Sequence, residues 1–138
     1  MSKDVEPGVY TFVTKWAKQR HPKLTCSSWA DNVPSEFPYA LVCMTDEHDL
    51  SRTLNSSHAN EYRHVTFEVN CYSAATSGRK SEAKAISRTF ADAFKALGFV
   101  QTAGGQPIDL TDGSNRTIAR YFCRFEANVS DGGTIHKA

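Results

Sequence analysis

Between residues 65 and 97 the hydrophobic period of the chain changes once, and that change limits the folds open to it. Val65, Phe67, Val69 and Cys71 alternate with Thr66, Glu68 and Asn70, the period of a strand with one buried face. From Ala83 onward the spacing becomes three and four. Ala83, Ile86, Phe90, Ala93, Phe94 and Leu97 form one stripe, with Lys84, Arg88, Asp92 and Lys95 outside it, which predicts a helix over Arg79 to Leu97. Gly98 follows where a left-handed residue ends a helix without steric cost. Burying Phe90 and Phe94 contributes roughly 1.5–3 kcal/mol each, so this aromatic stripe reads as core. A half-buried strand feeding an amphipathic helix requires a sheet with helices on one face.

The remaining segments fit that requirement. Val5, Val9, Phe12, Val13, Trp16 and Ala17 recur at helical steps, Pro7 suits the first turn, and His21-Pro22 closes the helix. Leu24 to Ala30 is expected as a short strand, and Phe37 to Thr45 as a strand with Pro38 at its start or on an edge. Phe99 to Gln106 is a further strand expectation, and Asp112-Gly113-Ser114-Asn115 a turn. Ile118 to Val129 alternates again, with Ala119, Tyr121, Cys123, Phe125, Ala127 and Val129 on the apolar side. Arg120, Arg124, Glu126 and Asn128 point the other way, and Phe122 is the apolar exception on that polar side. The Gly-rich stretch from Ser130 to Ala138 is expected to be mobile. The expected fold is α+β: a single domain over residues 1–138, with a mostly antiparallel four- to five-stranded sheet and two helices packed on one face.

Composition excludes more than it selects. The chain has 138 residues, 40% of them apolar and 22% charged, with 16 basic and 15 acidic side chains. That is ample for one core, and it leaves no global basic excess for holding a polyanion. The four cysteines, Cys26, Cys43, Cys71 and Cys123, are far apart and sit in apolar runs, so they are expected as small hydrophobes rather than ligands. Neither a signal peptide nor a run of about 18 apolar residues is present, and the expectation is a cytosolic, reduced chain without a membrane partner.

The junction between strand and helix, Ser73-Ala74-Ala75-Thr76-Ser77-Gly78-Arg79-Lys80-Ser81, superficially resembles a phosphate-binding loop. Such a loop needs G-x-x-x-x-G-K-[ST], with the first Gly freeing backbone N–H groups and the Lys reaching phosphate oxygens. Here Ser73 stands at the first Gly position, and Arg79 displaces Lys80 and Ser81 by one place. A one-residue slip on a helix turns a side chain by about 100°. Nucleotide binding at this turn is the weakest of the functional alternatives. Arg79 and Lys80 also lie where the helix dipole prefers acids, with Glu82 a partial offset. Two explanations stand side by side: a solvated turn that tolerates them, or a docking point for an acidic protein surface.

No G-x-S-x-G, H-E-x-x-H or G-x-G-x-x-G pattern occurs, so no catalytic, cofactor or metal residues are assigned. The polar stretch from Asp46 to Glu61 carries Asp46, Glu47, His48, Asp49, Arg52 and His58 without a metal-ligand spacing, and is expected as a solvated loop. Candidate interface residues are Asp46, Glu47, His48, Asp49 and Arg52 in that loop, Arg79 and Lys80 at the helix start, and Arg120 and Arg124 on the last long strand.

Several of these segments, taken in order, resemble a known family. They are Phe37-Pro38-Tyr39 opening a strand, Tyr72-Ser73 ending one, Ser77-Gly78-Arg79-Lys80-Ser81-Glu82-Ala83-Lys84 opening a helix, Leu97-Gly98-Phe99, and Arg120-Tyr121-Phe122-Cys123-Arg124-Phe125-Glu126-Ala127. Their order and spacing, over roughly residues 8–129, resemble the tail terminator and tail-completion (head–tail joining) proteins of long-tailed bacteriophages and related prophage particles. The resemblance implies a virion structural protein, assembled in the bacterial host cytoplasm and lacking catalysis or cofactors. It implies a homo-hexameric ring that caps the tail tube at its head-proximal end and stops polymerisation of the tube protein. It also implies contacts to the head-completion or connector protein and, in contractile tails, to the sheath. Genomic DNA would only pass through the lumen, where Arg120 and Arg124 would line the passage or pair with acids of a neighbouring subunit. A connector-adaptor of the head–tail interface is the nearest alternative, and a small nucleotide-binding protein or enzyme using Ser73 to Ser81 the alternative of another class.

Overall fold

A computed structural model of the chain describes residues 6–28, 36–49, 62–111, 117–130 and 135–137. The elements run α1 (Glu6–Arg20), β1 (Thr25–Ser27), β2 (Tyr39–Asp49), β3 (Tyr62–Ser73), α2 (Arg79–Leu97), β4 (Val100–Ala103), β5 (Ile108–Thr111), β6 (Thr117–Ser130) and β7 (Ile135–Lys137). The fold is α+β, with one mostly antiparallel sheet and two helices. Among the described residues seven strands form the sheet, rather than the expected four or five. Strand β1 pairs parallel to β2, and every other pairing is antiparallel.

The extra strands have one physical origin, the length of β6. Its inner side pairs with β3 along twelve registered positions, from Ser73↔Ala119 to Tyr62↔Ser130. Its outer side would leave a row of backbone N–H and C=O groups unpaired. Three short strands share that side in turn: β5 on Thr117 to Arg120, β4 on Arg124 to Glu126, and β7 on Ala127 to Val129. The terminal stretch expected to be mobile therefore contains a strand, because β6 still has ladder positions to fill there. Ile135 adds a packing contact to the core and to the site of Gly98.

A second correction concerns the polar stretch after Thr45. Asp46 to Asp49 are not loop but the end of β2, paired with Thr66 to Arg63. A register shift between Met44 and Asp46 re-phases the strand and sets Asp46 and His48 on the side away from the helices. Polarity misled there because an open sheet face accepts polar side chains. Residues 50–61, Arg52 and His58 among them, lie outside the described residues, as does the expected turn at 112–115.

Both helices cover the same face. Val9, Val13 and Ala17 of α1, and Ala83, Ile86, Phe90, Ala93 and Phe94 of α2, are fully or almost fully buried against Ala40, Val42, Val65, Phe67, Val69, Cys71, Cys123 and Phe125. At the centre the Phe94 ring stacks on Phe125 with centroids 4.4 Å apart, while Phe99 meets both Phe67 and Phe94 edge-on. The α2 terminus is a Schellman motif. Gly98 takes φ 101°, its N–H reaches Lys95 O, and the Phe99 N–H reaches Phe94 O. Phe12 departs from the expected stripe of α1. It is 38% exposed and forms an outer row with Trp16, 5.7 Å away between rings, and Arg20 over the Trp16 face.

Candidate functional site

The strand-to-helix turn is built by Ser73. Its side chain is fully buried at the end of β3, and its hydroxyl donates to Glu82 Oε1 at 2.5 Å. Ser73 Oγ itself accepts from the Ala75 N–H at 3.3 Å. Gly78 adopts φ 72° and ψ 23° just before the helix, and its carbonyl accepts from the Glu82 N–H. A side chain at this left-handed position would be strained. Strand and helix are thus tied through one hydroxyl and one carboxylate.

Arg79 and Lys80 are answered within the chain. Arg79 grips Asp109 of β5 through Nε to Oδ1 at 3.0 Å and Nη2 to Oδ2 at 3.3 Å, and Lys80 Nζ lies 3.6 Å from Oδ2. The hydrogen bond from Arg79, followed by the charges of both bases, lowers the Asp109 pKa. The two bases at the start of the helix therefore hold β5 against the sheet. A phosphate at this turn would have to displace Asp109 and lie beside Glu82, so the geometry argues against a nucleotide loop.

The candidates on β2 divide between the two faces of the sheet. Glu47 points to the helix side, where its Oε2 is 2.7 Å from Arg63 Nε. Arg63 is buried, and the contact is an ion pair without hydrogen-bond alignment, so Nε and Nη2 have no hydrogen-bond partner among the described residues. Asp49 is in register with Arg63. Asp46 and His48 lie on the open face and bind each other, Oδ2 to Nδ1 at 2.8 Å. Beside them is a residue that sequence reasoning passed over, His64, whose ring centre is 5.3 Å from that of His48. His64 is hydrogen-bonded through Nδ1 to Asn128 Oδ1 at 3.0 Å and through Nε2 to Glu126 Oε1 at 2.6 Å. Two acceptors at two ring nitrogens favour the imidazolium. Burial pulls the His64 pKa down, but the bonds to Asn128 and Glu126 and the charges of Glu126 and Asp46 outweigh it, leaving a net rise. Glu126 is correspondingly lowered, by hydrogen bonds from Thr102 and then His64.

No family model matches this chain, and no curated protein sequence matches it.

On β6, Arg124 bonds Glu68 Oε2 from Nε and Nη2, both at 3.2 Å, and its guanidinium lies 5.7 Å from the Phe122 ring centre. That contact gives the outward Phe122 a cation–π partner. Arg120 is different: its Nε is buried without a hydrogen bond, and it has no carboxylate partner among the described residues. Arg79, Lys80 and Arg120 gather at one end of the sheet, and Asp46 and His48 lie at the other.

The cysteines offer no nucleophile. Burial pushes Cys26 and Cys123 up to about 11 and Cys71 well above the ordinary thiol value, so they are neutral thiols near pH 7. No group of three metal-binding side chains occurs among the described residues. Among those residues no helix is long and apolar enough to cross a membrane. Outward placement of His64, Glu68 and Glu126 was legible from alternation, but their partners appear only once the β3–β6 register is known.

Proposed function

We propose that this protein is a structural subunit of a phage or phage-derived tail, a terminator that assembles as a homo-hexameric ring on the head-proximal end of the tail tube. There it stops tube polymerisation and presents the docking surface for the head connector, contacting sheath as well if the tail is contractile. The family resemblance in the order and spacing of segments motivates this assignment.

One structural observation supports it most: the sheet has two unlike edges. On one side lies the three-residue parallel strand β1. On the other lies β4, with no further strand beyond it among the described residues. Beside β4 runs an open groove of about 480 Å³ lined by Ala91, Lys95, Phe99, Val100, Gln101 and Phe125. A closed ring joins one surface of each subunit to a different surface of the next, and unlike sheet edges on opposite sides suit such a contact.

Mixing the chain with tail-tube protein tests the proposal by negative-stain imaging and native mass spectrometry. Capped tubes of fixed length carrying a six-membered ring are expected. A chain that neither binds nor caps the tube sinks the proposal, and binding to a head-completion protein instead reassigns it as a connector-adaptor.

A further inference from the structure

The face of the sheet away from the helices is organised into outward rows that cross β2, β3 and β6. In order they are Tyr39–Tyr72–Arg120, Leu41–Asn70–Phe122, Cys43–Glu68–Arg124, Asp46–Thr66–Glu126 and His48–His64–Asn128. The first end is aromatic and basic, with the Tyr39 and Tyr72 rings 6.1 Å apart beside the Arg120 Nε that has no hydrogen bond. The apolar Ile108 and Leu110 of β5 extend this end, 42% and 38% exposed. The fourth and fifth rows are acidic and histidine-bearing, and the Asp46 side chain is 54% exposed and that of Glu126 25%.

We propose that this face binds a second copy of the chain about a twofold axis lying between the two sheets and across the strands. Such an axis, placed between the Phe122 and Arg124 rows, turns each copy end for end over the other. The first row then faces the partner's fourth, and the second row faces the partner's third. Arg120 meets the partner's Glu126, and the Tyr39 phenol meets the partner's Asp46. Asn70 meets the partner's Glu68, and Phe122 meets the partner's Arg124. These four pairs are of complementary chemistry, and Arg120 gains the carboxylate it lacks among the described residues. Outward rows about 6.8 Å apart and strands about 4.8 Å apart give four facing rows on three strands a footprint on the order of 400 Å² per copy, about half of the roughly 800 Å² of a standard interface, so the contact is a weak one. Aromatic and arginine side chains at its centre are the residue types that anchor such contacts. The sheet edges stay free, so the inference stands apart from the ring proposed above.

Sedimentation velocity on the full chain from about 1 to about 200 μM, the range in which an interface of this size is populated, should show a dimer. Arg120→Glu and Glu126→Arg each set like charges opposite one another twice, and each should weaken dimerisation roughly tenfold or more. Mixing the two variants in equal amounts makes both contacts attractive and should restore a heterodimer, which a repair within one chain cannot mimic. Circular dichroism checks folding. If Glu126→Arg unfolds through loss of its bond to His64, Phe122→Ala takes its place and must weaken the dimer. A chain monomeric throughout, a dimer indifferent to the substitutions, or a mixture of folded variants that stays monomeric overturns the inference, as does capture of a different protein on this face by a monomeric chain.

Discussion

On the covered face of the sheet, Phe67 and Phe125 meet Phe94 and Phe99 from α2 and its C-terminal turn, and the contacts are aromatic and dry. On the opposite face the same strands carry Glu68 against Arg124, Glu126 against His64, and Asp46 against His48. One histidine on each side makes the difference measurable. His21 closes α1 on the helix side, 3.0 Å from Thr89 Oγ1. Burial lowers its pKa, Glu82 opposes the shift, and Arg20 adds to it. His64 on the open side is raised. The lesson is that the two surroundings make opposite demands: burial disfavours charge at His21 among the helices, cross-strand acids hold it at His64, and where the covered face does carry a charge, at Arg63, a carboxylate of Glu47 sits beside it.

The largest effect expected from disturbing this division is on the covered face. Phe94→Ala removes the ring that touches Phe67, Phe99 and Phe125 and should cost about 3–5 kcal/mol in denaturant unfolding. A loss below about 1 kcal/mol would mean the aromatic cluster is not the core.

Next comes the joint between strand and helix. Ser73→Ala leaves Glu82 without its buried donor and should cost about 1–3 kcal/mol. Restored stability in Ser73→Thr, which keeps the hydroxyl, separates the hydrogen bond from local packing.

A smaller effect sharpens the contrast between the faces. The raised His64 contributes stability that is fully present below the unfolded value of about 6.5 and fades as pH rises through its folded value. The lowered His21 does the reverse: its contribution is present above about 6.5 and is lost as pH falls through its folded value. NMR titration of the two ring protons should place their midpoints on opposite sides of about 6.5. Midpoints on the same side would break the comparison.

The smallest change in stability is expected for Arg79→Ser with Lys80→Ser. These exposed bases tie β5 to α2 through Asp109, so the double variant should keep its fold, and the Asp109 carboxyl should titrate closer to its ordinary value. Hydrogen exchange should quicken at Ile108 to Thr111 and leave β3 unchanged. Slower or unaltered exchange in β5 would show that the bases do not hold it.

Much of the fold was legible because its signals are local. The α2 limits follow from the Ala83–Leu97 stripe and Gly98, and β3 and β6 from uninterrupted alternation. What escaped notice is short or polar: β5, β7 and the Asp46–Asp49 end of β2. In sequence they carry no apolar period long enough to read, and they are strands because a neighbour has ladder groups to pair. The same holds for the sites. Arg79 and Lys80 looked like bases awaiting an acid, and Asp109 lies thirty residues away in sequence. His64 looked unremarkable because its partners, Glu126 and Asn128, lie more than sixty residues on.

By itself the sequence determined the two helices, the two long strands and which of their faces is apolar, since hydrophobic period depends only on neighbouring residues. It also showed that Ser73 to Ser81 departs from the phosphate-loop pattern, with Ser73 at the first Gly position and Lys80 displaced by one place. The tertiary structure decided which charges meet, because cross-strand register brings Glu68 to Arg124 and Glu126 to His64 from distant segments. It also decided that Arg120 alone, among the four basic candidates in the described residues, is left without a carboxylate there. Alternation can turn a charge outward, but only pairing of strands determines whether a counter-charge is waiting.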